Sequence, residues 1–251
     1  MKTMYRLVVM MVTAVALLAL SMPVNASKMD DRIVSSAKKS HVFKTYLKAD
    51  DITIQSNEGV VALTGTVSEE SHKSLAQETV AGLPGVKSVD NRLEVKGAPP
   101  AKNSDAWITA KVKTMLLLHQ NVSAMTEVDT KDGIVTLQGR AASQAQKDLT
   151  TEYAKDVEGV KDVNNQMTLT KASKRAQTVS SEIDDASITA LVKMTLLYHR
   201  STSALNTSVT TNKGVVTLSG KAGNASEKDL ATKFAKDVNG VKSVKNHMTI
   251  E

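Results

Sequence analysis

The 251-residue chain contains no cysteine. Disulfides, thiolate metal sites and a cysteine nucleophile are excluded together, and so is the lipid-carrying cysteine of a bacterial lipoprotein. Aromatic residues are scarce at 3%, with one tryptophan, two phenylalanines and four tyrosines. No platform for stacking successive bases follows from so few rings, and nucleic acid is not expected as a partner. Long apolar runs are missing too, with one exception. Leu7 to Leu20 is uncharged over 14 residues, short of the roughly 20 that a membrane-spanning helix needs. It follows Lys2 and Arg6 and precedes Pro23 and the Val24-Asn25-Ala26 stretch. That pattern predicts a secretory signal peptide over 1–26, cleaved after Ala26, with no transmembrane segment after its removal.

What the sequence has is repetition, which must be settled before any fold is assigned. Gly59, Gly133 and Gly214 each precede a second glycine by six residues (Gly65, Gly139, Gly220). A third glycine follows 20 residues on (Gly85, Gly159, Gly240), and an asparagine six beyond that (Asn91, Asn165, Asn246). The local strings agree: EGVVALTG, DGIVTLQG and KGVVTLSG, then GVKSVDN, GVKDVNN and GVKSVKN. Three modules are expected, at 28–96, 104–170 and 184–251, joined by a Pro-rich linker and by a polar one at Lys171 to Ile183.

Within a module the periodicity predicts the elements. Asp105 opens a helix in which Ile108, Val112, Met115 and Leu116 recur at helical spacing, and Asp185 opens its counterpart. A strand, an X-Gly turn and an alternating strand read as a hairpin. A second helix carries Leu149, Tyr153 and Val157, matched by Leu230, Phe234 and Val238, and a last strand closes the unit. The expected class is α+β: tandem α-β-β-α-β modules, each a three-stranded mixed sheet with both helices on one face. The crossover helix makes the last two strands parallel.

This order, with the hairpin glycines and the "GVKxVxN" entry to the last strand, resembles the BON domain (bacterial osmotically induced and nodulation domain). The resemblance implies a periplasmic protein associated with osmotic or envelope stress, binding phospholipid or partner proteins, without catalysis. The first copy departs from the other two at Ala37, Ser40 and His41, where they carry apolar or larger residues. It is expected to be marginal alone, whereas 184–251 is expected to fold alone.

The candidate chemistry is sparse. Gly65, Gly139, Gly220, Gly85, Gly159 and Gly240 read as structural, because no loop has the glycine-lysine pattern that cradles phosphate. Of five histidines, His119 and His199 share the end of the first helix, where a cation suits the dipole, and none has ligand spacing. No serine sits in a nucleophile elbow. No enzyme activity, metal or cofactor is expected.

The net charge of +6 is uneven: −2 over 105–170, +2 over 171–183 and +3 over 184–251. Lys171, Lys174, Arg175, Lys193 and Arg200 are the candidate contacts to an anionic surface. Trp107 lies one residue before core-facing Ile108, on the side of Lys111, Thr114 and Leu118. An indole beside a lysine suits a membrane interface, so Trp107, Lys111, Leu117 and Leu118 are the candidate lipid contacts. Anionic phospholipid headgroups are thus the expected partner. The alternative is a holdase-like array that binds periplasmic client proteins along open sheet edges.

Overall fold

A computed structural model describes residues 24–98, 100–122, 126–170, 183–202 and 206–251, with side chains from Lys28 on. The apolar run of the expected signal peptide lies outside these residues, as do Lys171, Lys174 and Arg175. In the first module the expected first helix is two, α1 (Val24–Lys39) and α2 (His41–Thr45). Ser40 makes the break. Its hydroxyl donates to the Ala37 carbonyl at 2.8 Å and accepts the Phe43 amide at 3.4 Å, so it ends one helix and caps the next. Strands β1 (Asp51–Asn57) and β2 (Val60–Val67), helix α3 (Glu70–Ala81) and strand β3 (Ser88–Val95) complete the module.

The second module runs α4 (Asp105–Leu118), β4 (Glu127–Lys131), β5 (Ile134–Gln138), β6 (Arg140–Ala141), α5 (Gln144–Lys155), β7 (Asp162–Asn165) and β8 (Thr168–Leu169). The third runs α6 (Asp185–Tyr198), β9 (Thr207–Asn212), β10 (Val215–Ala222), α7 (Ala225–Lys236), β11 (Ser243–Asn246) and β12 (Thr249–Ile250). Each sheet has the hairpin's second strand at its centre. It pairs antiparallel with the first strand and parallel with the last. The expected mixed sheet is therefore present in all three modules.

Two recurring side chains fix this geometry. The hairpin turns have positive φ at both central residues, as at Asp132 (55°) and Gly133 (80°), leaving their amides pointing at the first helix. Asp105 accepts both, from Asp132 at 2.8 Å and Gly133 at 2.9 Å. Asp30 and Asp185 do the same for Glu58 and Gly59 and for Lys213 and Gly214. The helix cap expected of Asp105 is supplied by Ser104, and Asp105 itself locks the hairpin. The repeated asparagine joins the last strand to the second helix. Asn246 donates to the Lys228 carbonyl and the Thr232 hydroxyl and accepts the Met248 amide.

Gly220 shows why its position recurs. Its φ is +120°, and a Cβ there would lie 1.8 Å from the Asn206 carbonyl, where the edge strand begins.

The modules are packed on one another, and α6 is where they meet. Ala186 to Val192 and Met194 to Leu196 are buried without interruption. A helix apolar all round needs partners all round. Here they are its own sheet, α3 of the first module and α4 of the second. At its start, Asp184 accepts the His41 amide at 2.7 Å and Ser187 accepts that of Val42 at 3.0 Å. His41, one of the residues that set the first module apart, thus lies where the third docks, just after the helix turns at Ser40.

Candidate functional site

The first turns of α4 bring Trp107 and Lys111 onto one face, four residues apart. The Lys111 ammonium lies 4.3 Å from the indole centroid and 4.9 Å from the ring of Tyr198, at the end of α6. These three side chains wall a cleft of about 630 Å³ to which every module contributes. Its other sides are the N-terminus of α3 (Ser68 to Ser71, with Ser74) and the linker at Ala98 and Pro100. Leu197 stands at this cleft and is 49% exposed.

Electrostatically the cleft is mixed. Glu69 is already engaged, accepting the hydroxyls of Ser71 at 3.2 Å and Thr114 at 3.3 Å. Burial pushes the Lys111 ammonium below the ordinary lysine pKa, against the pull of Glu158, while Lys102 adds to the lowering. Burial likewise pushes the Tyr198 phenol up to about 12. Among the described residues, no carboxylate lies within ion-pair distance of Lys111.

The other expected contacts divide. Leu117 is 44% exposed, but Leu118 is fully buried in the core, because the face below Trp107 is covered by the neighbouring modules. Leu118 is therefore no surface contact. Lys193 pairs with Glu78 at 2.7 Å, and Arg200 lies 3.7 Å from Asp156 and donates to the Lys155 carbonyl. Both cations are partly neutralised within the chain. Among the described residues, no group of three or more His, Asp or Glu side chains is placed to hold a metal ion. No helix of these residues is long and apolar enough to cross a membrane.

A second cluster lies between the second and third modules. His119 and His199 are at the ends of α4 and α6, as expected, yet both are buried, and their Nε2 atoms are 3.1 Å apart. His119 Nδ1 faces Asp237 at 3.1 Å, and His199 Nδ1 faces Asp156 at 2.8 Å. His119 stacks on Tyr153 at 4.0 Å and His199 on Phe234 at 3.7 Å. The stripe of Tyr153 and Phe234 that read as each module's own core therefore serves the joint between them. The amide of Gln120 donates to the Asp237 carbonyl and that of Arg200 to the Asp156 carbonyl, both at 2.9 Å. The histidine, carboxylate, stacking and amide contacts each have a mirror, a pseudo-two-fold arrangement broken by the Tyr153 hydroxyl on Asp237 and by Arg200 beside Asp156. The sequence signal is a histidine 14 residues after the first-turn aspartate and an aspartate three before the third glycine. The first module has Lys44 and Gly82 there.

Comparison with known proteins fits the repeat. The model of the BON domain matches residues 30–97, 104–171 and 184–251. Osmotically-inducible protein Y of Escherichia coli (strain K12) is 38% identical over 143 residues, covering 55% of this chain and 71% of that one. The 21 kDa hemolysin of Actinobacillus pleuropneumoniae is 30% identical over 138 residues, covering 54% and 69%. With three matched copies spanning most of its length, the chain belongs to the BON-domain family.

Proposed function

We propose that this chain is a non-catalytic stress protein of the periplasm that binds anionic phospholipid headgroups at the three-module cleft. The observation that carries the reading is Lys111. It is a half-buried cation, held on Trp107 and Tyr198, with no carboxylate within ion-pair distance among the described residues. A desolvated cation facing a cleft gains most from an anion brought to it. The exposed Leu197 and the indole give that anion an apolar neighbourhood of the kind found at headgroup level. Two relatives support the setting by their names, one osmotically inducible and one a hemolysin.

Flotation with phosphatidylglycerol and phosphatidylcholine vesicles tests the proposal. Binding is expected on the first only, weakening as the Debye length falls from about 8 Å at physiological salt to about 3 Å at 1 M. Lys111→Gln is expected to lower affinity about fivefold, the worth of one lysine near an anionic surface. The single indole is expected to shift to the blue on binding. Equal binding to both lipids, or unchanged binding by Lys111→Gln, overturns the reading.

A second reading rests on a different observation. The outer strands of each sheet, β1 and β3 in the first module, pair on one side only. Such edges accept an extended segment of a client protein. Suppression of client aggregation with no vesicle binding is the outcome that favours it.

A further inference from the structure

The histidine pair between the second and third modules is independent of the cleft, and its geometry sets a proton count. Asp237 accepts from His119 Nδ1, from the Tyr153 hydroxyl at 2.7 Å and from Asn121. Asp156 accepts from His199 Nδ1 and the Ser201 hydroxyl, with the Arg200 guanidinium nearby. A carboxylate that gathers two or three donors acts as acceptor, so the Nδ1 facing it carries a proton. The two Nε2 atoms then meet at 3.1 Å. The 5.3 Å between ring centroids is close to the largest separation that contact allows, so the nitrogens point almost straight at each other. With no proton between them two lone pairs oppose, and with two protons two N–H groups collide. A metal ion does not fit on that line, because metal–nitrogen bonds of about 2.0–2.1 Å need more room than the contact leaves.

We infer that His119 and His199 share one proton, as an imidazole and an imidazolium, and that a second proton opens the joint between the modules. The shared charge and Arg200 together balance the two carboxylates. The groups facing the pair are Tyr153 and Asp156 from α5 and its end, Arg200 after α6, and Asp237 after α7. Lys233 and Lys236 line the adjoining hollow with Tyr153 and Asp237.

Burial holds His119 below the ordinary histidine value of 6.5; Asp237 pulls the other way, and the charge of His199 adds to the lowering. A lowered histidine binds its proton less readily in the closed joint than in the open one. The joint therefore weakens as pH falls below 6.5, where the open form takes up the second proton, and weakens again at a pH high enough to remove the shared one. Opening exposes Tyr153, Phe234, Val157 and Val238, the apolar lining that the two modules otherwise hide from each other.

Two measurements on the full chain test the inference. In nitrogen-15 spectra of the histidine rings, His119 and His199 are expected to keep both Nδ1 protons and hold one Nε2 proton between them at pH 7. Amide exchange is the second. Protection of the Gln120 and Arg200 amides, whose bonds cross the joint, is expected to fall about tenfold over one pH unit below 6.5, while β2 keeps its protection. His119→Gln retains a donor toward His199 but removes the lowered histidine, and is expected to flatten that profile. Two neutral rings at pH 7, equal protection at pH 7 and pH 5, or an unaltered profile in His119→Gln each overturn it. Should the variant fail to fold, the spectra and exchange of the unaltered protein decide alone.

Discussion

Lys193 of the third module reaches Glu78 of the first at 2.7 Å, and a helix turn away Gly82 stands against Ala186. The ion pair is the more conspicuous of the two and the weaker. Both side chains are about a third exposed, where a pair is worth about 0–1 kcal/mol. Gly82 has no conformational need to be glycine, but a Cβ there would meet that of Ala186 at 3.4 Å. Glu78→Gln is expected to leave the melting temperature nearly unchanged. Gly82→Val forces further atoms into the contact and is expected to cost about 1–3 kcal/mol. Thermal melts of both variants check the order; a larger loss in Glu78→Gln would show that the charge pair, not the close approach, holds the modules together.

Neighbouring leucines on α4 are expected to behave oppositely. Leu118→Ala opens a cavity in a fully buried site and is expected to cost about 2–5 kcal/mol. Leu117→Ala, at an exposed site, is expected to fall within about 0.5 kcal/mol of the parent. Urea denaturation midpoints of the two variants, read side by side, test the assignment.

Asn246→Ala removes three hydrogen bonds at once and leaves the Met248 amide without its acceptor. A loss of about 1–3 kcal/mol is expected, together with faster exchange of the Met248 amide. Asn165→Ala is expected to match it, since the same three bonds recur there.

Acid stability has a separate origin from the histidine step. The Ser56 hydroxyl and the Gly59 amide hold the Asp30 carboxyl below its ordinary value of 3.8, with burial opposing them. A lowered carboxylate contributes stability that is present above 3.8 and lost as pH falls through its folded value. Asp30→Asn is expected to flatten the stability profile below pH 3.8 and to leave the step below pH 6.5 in place. Denaturation midpoints across both windows measure it. A variant that alters the upper step would couple the first module to the histidine pair.

The modules were legible in the sequence because what defines them is local. A turn that needs positive φ at Gly133 and alternation on either side of it lie within a dozen residues, and three copies repeat them. The all-round burial of α6 was not, since Ser187, Thr189, Lys193 and Thr195 are polar among the eleven positions from Ala186 to Leu196. A search for one apolar stripe reads such a helix as covering its own sheet and misses the other two faces. The cleft and the histidine joint were not legible for a different reason. Trp107 and Lys111 meet Tyr198 from some 90 residues away, and His119 meets His199 across 80. Spacing within a repeat says nothing of how repeats dock. Ser40 and His41 looked like defects of a weak core because the surface that covers them belongs to another module.

The mirror pairing of the second and third modules has a consequence for assembly. A patch that joins a near copy of itself through matching halves has the symmetry of a homodimer interface. His119 and Asp156 are both on the second module, whereas Arg200 and Phe234 come from the third, so the observed set takes one copy of each. Tethering in one polypeptide favours that pairing, by raising the local concentration of the proper mate above that of any other chain. The first module, with Lys44 and Gly82 at the matching places, is excluded from the exchange and is free to take the flank of α6 instead.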